Sequence, residues 1–180
     1  MRRQHGRHQR RSIRLKDYDY SQPGAYFITV RTVNLECIFG RISNGAMRLN
    51  MYGKIVRKCW DDLPNHYLNV KLDVFVIMPD HVHGIIFIEN DPDYYVGAGF
   101  KPAPTKETKP KKHGLPEIIR AFKTFSSRRI NKRRNTVGSP VWQRGFYDHV
   151  IRNEQDLNRI RDYIINNPLR WHLDKYNPNY

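Results

Sequence analysis

The sequence predicts an α+β domain built on a mainly antiparallel sheet, and three observations lead there. Runs of β-branched and aromatic residues bounded by turn residues occur in sequence-adjacent pairs, which suits hairpins. Apolar residues at spacings of three and four mark helices between and after those runs. A length of 180 residues with 39% apolar composition supplies one sizeable core but is short for two.

Met1 to Lys16 carry many arginines and almost no apolar residues, too little to offset the entropy of ordering a backbone. Residues 1–20 are therefore expected to be a basic flexible arm, residues 21–172 the domain, and residues 173–180 a tail. Ala25 to Val33 follows Pro23-Gly24 and reads as the first strand. Cys37 to Ile42 and Ala46 to Leu49 flank Ser43-Asn44-Gly45, a hairpin signal. From Met51 to Leu63, Ile55, Val56, Cys59, Trp60 and Leu63 share one helical face, with Lys54, Arg57, Lys58 and Asp61 on the other. Lys71 to Met78 and His81 to Glu89 are apolar runs joined by Pro79-Asp80, predicting an antiparallel hairpin at the centre of the sheet. Residues 90–114 carry Pro92, Pro102, Pro104 and Pro110 with a lysine cluster, and a mobile loop is expected. Helical spacing returns from Leu115 to about Arg134. A short strand over Pro140 to Tyr147 and a last helix from near Asn153 to Pro168 complete the chain.

The balance of 32 Lys+Arg against 17 Asp+Glu leaves a formal charge of +15, which makes nucleic acid the leading partner and a merely solvated basic surface the alternative. Cys37 and Cys59 form no CxxC pair, so neither a disulfide framework nor a thiolate zinc site is readable. No run approaches the roughly 20 apolar residues of a membrane span, and the N-terminus lacks an apolar signal core. The expectation is a cytoplasmic protein with no membrane partner.

Two segments carry chemistry. In an extended strand His81 and His83 project to one side about 7 Å apart, near enough for both imidazoles to converge on one ion, while Val82 points into the opposite layer. Alone, His-x-His is a weak signal and better fits two hydrogen-bonded histidines at a core edge; the Pro79-Asp80 turn and the matching segment at the other end of the chain favour the ion. On the last helix Leu157, Ile160 and Ile164 form the core stripe. Tyr163 and Asn167, four apart, are expected one above the other on its flank, near Asp156, Arg152 and Arg159. A phenol with a pKa near 10 becomes a useful nucleophile when a cation stabilises its charge or the transition state, although a packing aromatic would fit the same position.

Taken together, these residues resemble the single-tyrosine HUH transposases associated with insertion sequences, and most closely their REP-associated branch. The matching segments are Met78-Pro79-Asp80-His81-Val82-His83-Gly84, then Trp142-Gln143-Arg144-Gly145-Phe146-Tyr147-Asp148-His149, Ile151-Arg152, and Tyr163-Ile164 with Asn166-Asn167-Pro168. The likeness runs from about Ala25 to Trp171. It implies a ferredoxin-like fold in which His81 and His83 bind Mg2+ or Mn2+, with Asn167 as third ligand where many relatives place Gln. It also implies that Tyr163 attacks single-stranded DNA beside a small palindromic hairpin, giving a 5′-phosphotyrosine and a free 3′-hydroxyl. The implied activity is that of a metal-dependent transposase acting as endonuclease and strand transferase, as a monomer or homodimer, in DNA transposition or REP-element processing.

Tyr147 is the next candidate nucleophile. For DNA contacts, Arg120, Lys123, Arg128 and Arg129 can track a phosphate backbone from the helix at Leu115. Arg144 lies among Trp142, Phe146 and Tyr147, which can stack bases, and Arg152 borders the last helix. Two alternatives share the sequence: a non-catalytic nucleic-acid-binding ferredoxin-like module with inert histidines, and a replication-initiation or relaxase-type nuclease.

Overall fold

In the computed structural model the described residues are 15, 17–90 and 113–173. Most of the expected arm, loop and tail lies outside them.

Among the described residues six strands and four α-helices follow in order: β1 (Gly24–Arg31), β2 (Gly40–Ser43), β3 (Ala46–Leu49), α1 (Met51–Asp61), α2 (Leu63–His66), β4 (Val70–Ile77), β5 (His81–Ile88), α3 (Leu115–Arg134), β6 (Tyr147–Ile151) and α4 (Glu154–Ile165). A 3-10 helix, Pro168–Leu173, ends the described chain. The main sheet has the order β4-β5-β1-β6, and all its pairings are antiparallel. With α1 between β1 and β4 and α3 between β5 and β6, this is the βαββαβ arrangement of ferredoxin-like folds. The β2–β3 ribbon is inserted between β1 and α1. Its turn, Asn44-Gly45, has positive φ at both positions (52° and 70°), which suits the type I′ geometry of a two-residue hairpin.

Strand alternation divides the apolar residues between two faces. Tyr26, Ile28, Val30, Val82, Ile86 and Ile88 join Val56, Trp60, Ile118, Ile119 and Phe122 in the larger core, beneath α1 and α3. Gly84 makes that closeness possible: a Cβ there would stand 2.6 Å from the Trp60 ring, which stacks on Phe75 at 4.2 Å. On the other face Ala25, Phe27, Ile85 and Ile151 meet Ile160 and Ile164 of α4, with half-buried Val74, Val76, Phe87 and Leu157 around them.

Three expected placements need correction. The β4–β5 hairpin is not central as a unit, because β5 is interior and β4 is an edge. The last strand is Tyr147–Ile151 rather than Pro140 to Tyr147. Residues 140–146 do run beside the end of β1, through Val33 N–H to Val141 O (2.9 Å) and Gln143 N–H to Arg31 O (2.8 Å). The Lys123 ammonium draws the Gln143 and Gly145 carbonyls away at 2.7 Å each, so only an isolated Thr32–Trp142 bridge forms there. Finally, α4 stops at Ile165. Pro168 disfavours helical backbone at Asn167, and the Asn166 side-chain amide caps the Asp162 carbonyl at 2.8 Å.

Candidate active site

β5 is interior, and its odd-numbered residues face α4, so His81 and His83 are held 2% and 4% exposed under that helix. Their Nε2 atoms converge to 3.0 Å. Each Nδ1 is engaged from behind: His81 with Asp80 Oδ1 at 2.5 Å, and His83 with Thr29 Oγ1 at 2.8 Å, across the β1–β5 register. A carboxylate accepts only from a protonated Nδ1, so the Asp80 contact places a proton on that atom and turns Nε2 of His81 forward. Burial above all, then His81 and Arg31, pushes His83 well below the usual imidazole range and keeps it neutral near pH 7. Both rings therefore turn their Nε2 atoms towards the space beneath α4, with their orientation fixed by partners behind them.

α4 carries the third group. Its N-cap Asn153 accepts from Asp156 N–H at 2.8 Å, and Glu154 and Asp156 occupy the first turn, where carboxylates suit the helix dipole. Two polar clamps fasten the helix across the sheet. Arg161 donates twice to Asp73 Oδ2, at 2.8 and 2.6 Å, tying α4 to β4. Asp156 meets His149 of β6 at 2.8 Å, and its carboxyl lies below the usual range because of that bond and the one from Arg159. Just beyond the Arg161 clamp, the Tyr163 hydroxyl lies 3.3 Å from His83 Nε2. The Tyr163 ring meets Phe27 edge-on at 6.0 Å, and Phe27 stacks on His83 at 5.4 Å. Tyr163 remains 41% exposed, so its phenol touches the histidine pair while one side stays open to an incoming strand.

Asn167 stands in the turn between α4 and the 3-10 helix, with its N–H donating to Ile164 O at 3.3 Å. Among the described residues no group of three or more His, Cys, Asp or Glu forms a metal-type cluster.

The expected DNA-contacting residues divide between layers. Arg120, Arg128 and Arg129 are exposed on α3, whose core face packs on the side of the sheet opposite the histidines. Arg129 also donates to Cys59 Sγ at 3.0 Å. The Lys123 ammonium is taken up by the two loop carbonyls, and burial lowers its pKa, so it is a loop clamp and not a free phosphate ligand. Arg144 and Arg152 are exposed on either side of β6. Trp142 is 6% exposed, packs on Phe39 and Phe122, and donates to Ser126 Oγ at 2.9 Å; it is a core residue. Tyr147 is 46% exposed and edge-on to Phe27 at 6.3 Å, on the same face as the site.

Sequence reasoning missed Asp80, Thr29, Phe27, Arg31 and Trp171. Asp80 was legible as a turn residue and as part of the matching segment, but not as the partner of His81. Arg31 is opposite His81, and Thr29 opposite His83, only once the β1–β5 register is known. The Trp171 ring stands 6.1 Å from His81 because the 3-10 helix folds back over the strand.

No protein-family model matches the chain. An uncharacterized protein of Haemophilus influenzae is 41% identical over 174 residues, covering 94% of both chains. A second Haemophilus influenzae protein, described as "Putative REP-associated tyrosine transposase", is 28% identical over 154 residues, covering 84% of this chain and 74% of its own length. A solved REP-associated tyrosine transposase bound to a REP hairpin shares the fold, with a TM-score of 0.61 at 18% identity over 90% of this chain and 76% of that one. The chain is thus similar in sequence to one protein described as a REP-associated tyrosine transposase and shares the fold of another.

Proposed function

We propose that this protein is a transposase-type endonuclease and strand transferase for single-stranded DNA beside a palindromic hairpin, with Tyr163 as nucleophile and His81 and His83 as ligands of Mg2+ or Mn2+. The observation that carries the reading is the Tyr163 hydroxyl 3.3 Å from an imidazole pair whose Nε2 atoms converge at 3.0 Å. That separation suits a hydrogen bond between the rings. It would equally suit two imidazoles sharing one ion. The engaged Nδ1 atoms and the neutral state of His83 fit the second role. When bound, the ion would polarise the scissile phosphate and stabilise phenolate charge. Asn167 is the proposed third protein ligand.

The residues then divide the work. Phe27 and the two α4 clamps hold the phenol at the phosphate, so attack is effectively intramolecular. The Tyr163 oxygen bonds to phosphorus, the phosphorus–O3′ bond breaks, and the departing 3′-oxygen takes up a proton. The phenolic proton leaves through the open side of the ring. The phosphotyrosine keeps the phosphodiester's bond energy, so a later 3′-hydroxyl can attack it and restore the phenol without ATP. Arg120, Arg128 and Arg129 on α3, with Arg144 and Arg152 near β6, supply salt-dependent phosphate attraction.

The test is covalent capture of labelled hairpin-bearing single strands drawn from the protein's own locus. Wild-type protein with Mg2+ or Mn2+ forms an adduct stable to denaturant, whereas Tyr163→Phe forms none and binds with unchanged affinity. Chelation abolishes the adduct. Wild-type protein that never forms one under these conditions sinks the reading.

A further inference from the structure

Beside the proposed centre is a cleft of about 400 Å³ that the cleavage reading does not use. The β2–β3 ribbon forms one wall through Arg41, Ile42 and Gly45, and the 3-10 helix forms the other through Leu169, Trp171 and His172. The walls are fitted to each other: a Cβ on Gly45 would stand 2.5 Å from Leu169 Cδ2. Trp171 joins the cleft to the centre, since it lines the cleft and its ring is 6.1 Å from that of His81. The size falls within the usual range of small-ligand sites, and the walls combine flat apolar surface with a few polar groups.

Charge on the ribbon supplies a second, independent observation. Arg41 and Arg48 are directly opposite in the β2–β3 register, and both are exposed. Like charges in that position repel, and Gly40 to Leu49 contains no Asp or Glu to offset them. A phosphodiester would relieve the repulsion, and it is chemically attached to a base that can enter an aromatic-walled slot.

We propose that this cleft takes one unstacked nucleobase of the single strand, adjoining the phosphate that Tyr163 attacks, with Arg41 and Arg48 on the neighbouring phosphodiester. The inference rests on the cleavage reading for its placement, but binding tests it separately. Unstacking costs least in a strand that is already single, which suits a substrate with unpaired arms beside a hairpin.

The experiment measures binding by fluorescence anisotropy, in chelator, using hairpin oligonucleotides from the protein's own locus with a single abasic site stepped through each unpaired arm. One arm position should weaken binding to wild-type protein roughly tenfold, in line with loss of one stacked base. Leu169→Trp, a substitution at a 58% exposed position that fills the slot, should weaken the intact oligonucleotide similarly and make that abasic position cost nothing more. Arg41→Ala should lower affinity and flatten its salt dependence while leaving the abasic penalty in place. The proposal is overturned if no arm position shows a penalty, or if Leu169→Trp leaves that penalty intact. Adduct formation without such a penalty would retain the cleavage reading and remove this one. A penalty without any adduct would do the reverse to the chemistry while retaining the slot.

Discussion

The two faces of the sheet are packed for opposite purposes. Under α1 and α3 the face is closed by interlocking aromatic rings, Trp60 on Phe75 at 4.2 Å and edge-on to Phe122 at 5.5 Å, and it tolerates glycine alone at position 84. Under α4 the apolar layer is thin and borders a polar patch in which two buried imidazoles, a carboxylate, a threonine hydroxyl and a half-exposed phenol meet. Buried polar groups are costly unless each is satisfied, so the second face depends on orientation where the first depends on volume. The division shows how a small domain can keep a reactive, partly open site: the closed face supplies the stability that the open face gives up.

If that division holds, substitutions on the two faces should fail in different ways. The largest effect should come from His83→Ala, which removes one of the two converging nitrogens. Covalent capture should fall about 10³-fold or more, corresponding to several kcal/mol of transition-state stabilisation, with hairpin binding retained. Capture that survives this change would make the histidines structural. Next is Asp80→Asn, which keeps the shape but loses the carboxylate behind His81. The Mn2+ concentration needed for half-maximal capture should rise about 10- to 100-fold, while capture at saturating Mn2+ recovers much of its rate. An unchanged metal requirement would contradict the orienting role.

Stability should separate the faces from the other side. Gly84→Ala pushes a methyl group into Trp60 and should cost about 1–3 kcal/mol in urea unfolding. Leu157→Ala, at a half-buried position on the inner side of α4, should cost no more than about 1 kcal/mol. Equal costs would mean that the second face is packed as tightly as the first.

The smallest expected effect concerns pH. Bonds from His149 and Arg159 lower the folded pKa of Asp156 below its ordinary value of 3.8. A depressed carboxyl contributes stability that is present above about 3.8 and lost as pH falls towards the lowered value, because the unfolded chain takes up the proton first. Asp156→Asn should therefore flatten the acid-side loss of stability and leave the profile above pH 5 parallel to wild type. Identical acid limbs in the two proteins would show that this clamp does not couple β6 to α4.

Much of this was legible in the sequence because it depends on local periodicity. Alternation alone places His81 and His83 on one side and Val82 on the other, and helical spacing places Tyr163 beside the Ile160–Ile164 stripe. The partners behind the histidines were not legible, since the Thr29–His83 contact exists only in the β1–β5 register. The end of α4 comes earlier than expected because Pro168 restricts the residue before it. The strand expected at residues 140–147 gave way to a lysine reaching from α3, a tertiary contact that local pattern does not encode. The layer opposite the histidines was likewise invisible in the basic face of α3, which reads as charge without direction.

The claim on which the account turns is that one phenol works with one imidazole pair. Mass-spectrometric mapping of the tryptic peptide that retains nucleotide after capture in Mn2+ tests it most directly. The account predicts the added phosphate on Tyr163, and label on Tyr147 or any other residue instead would contradict it.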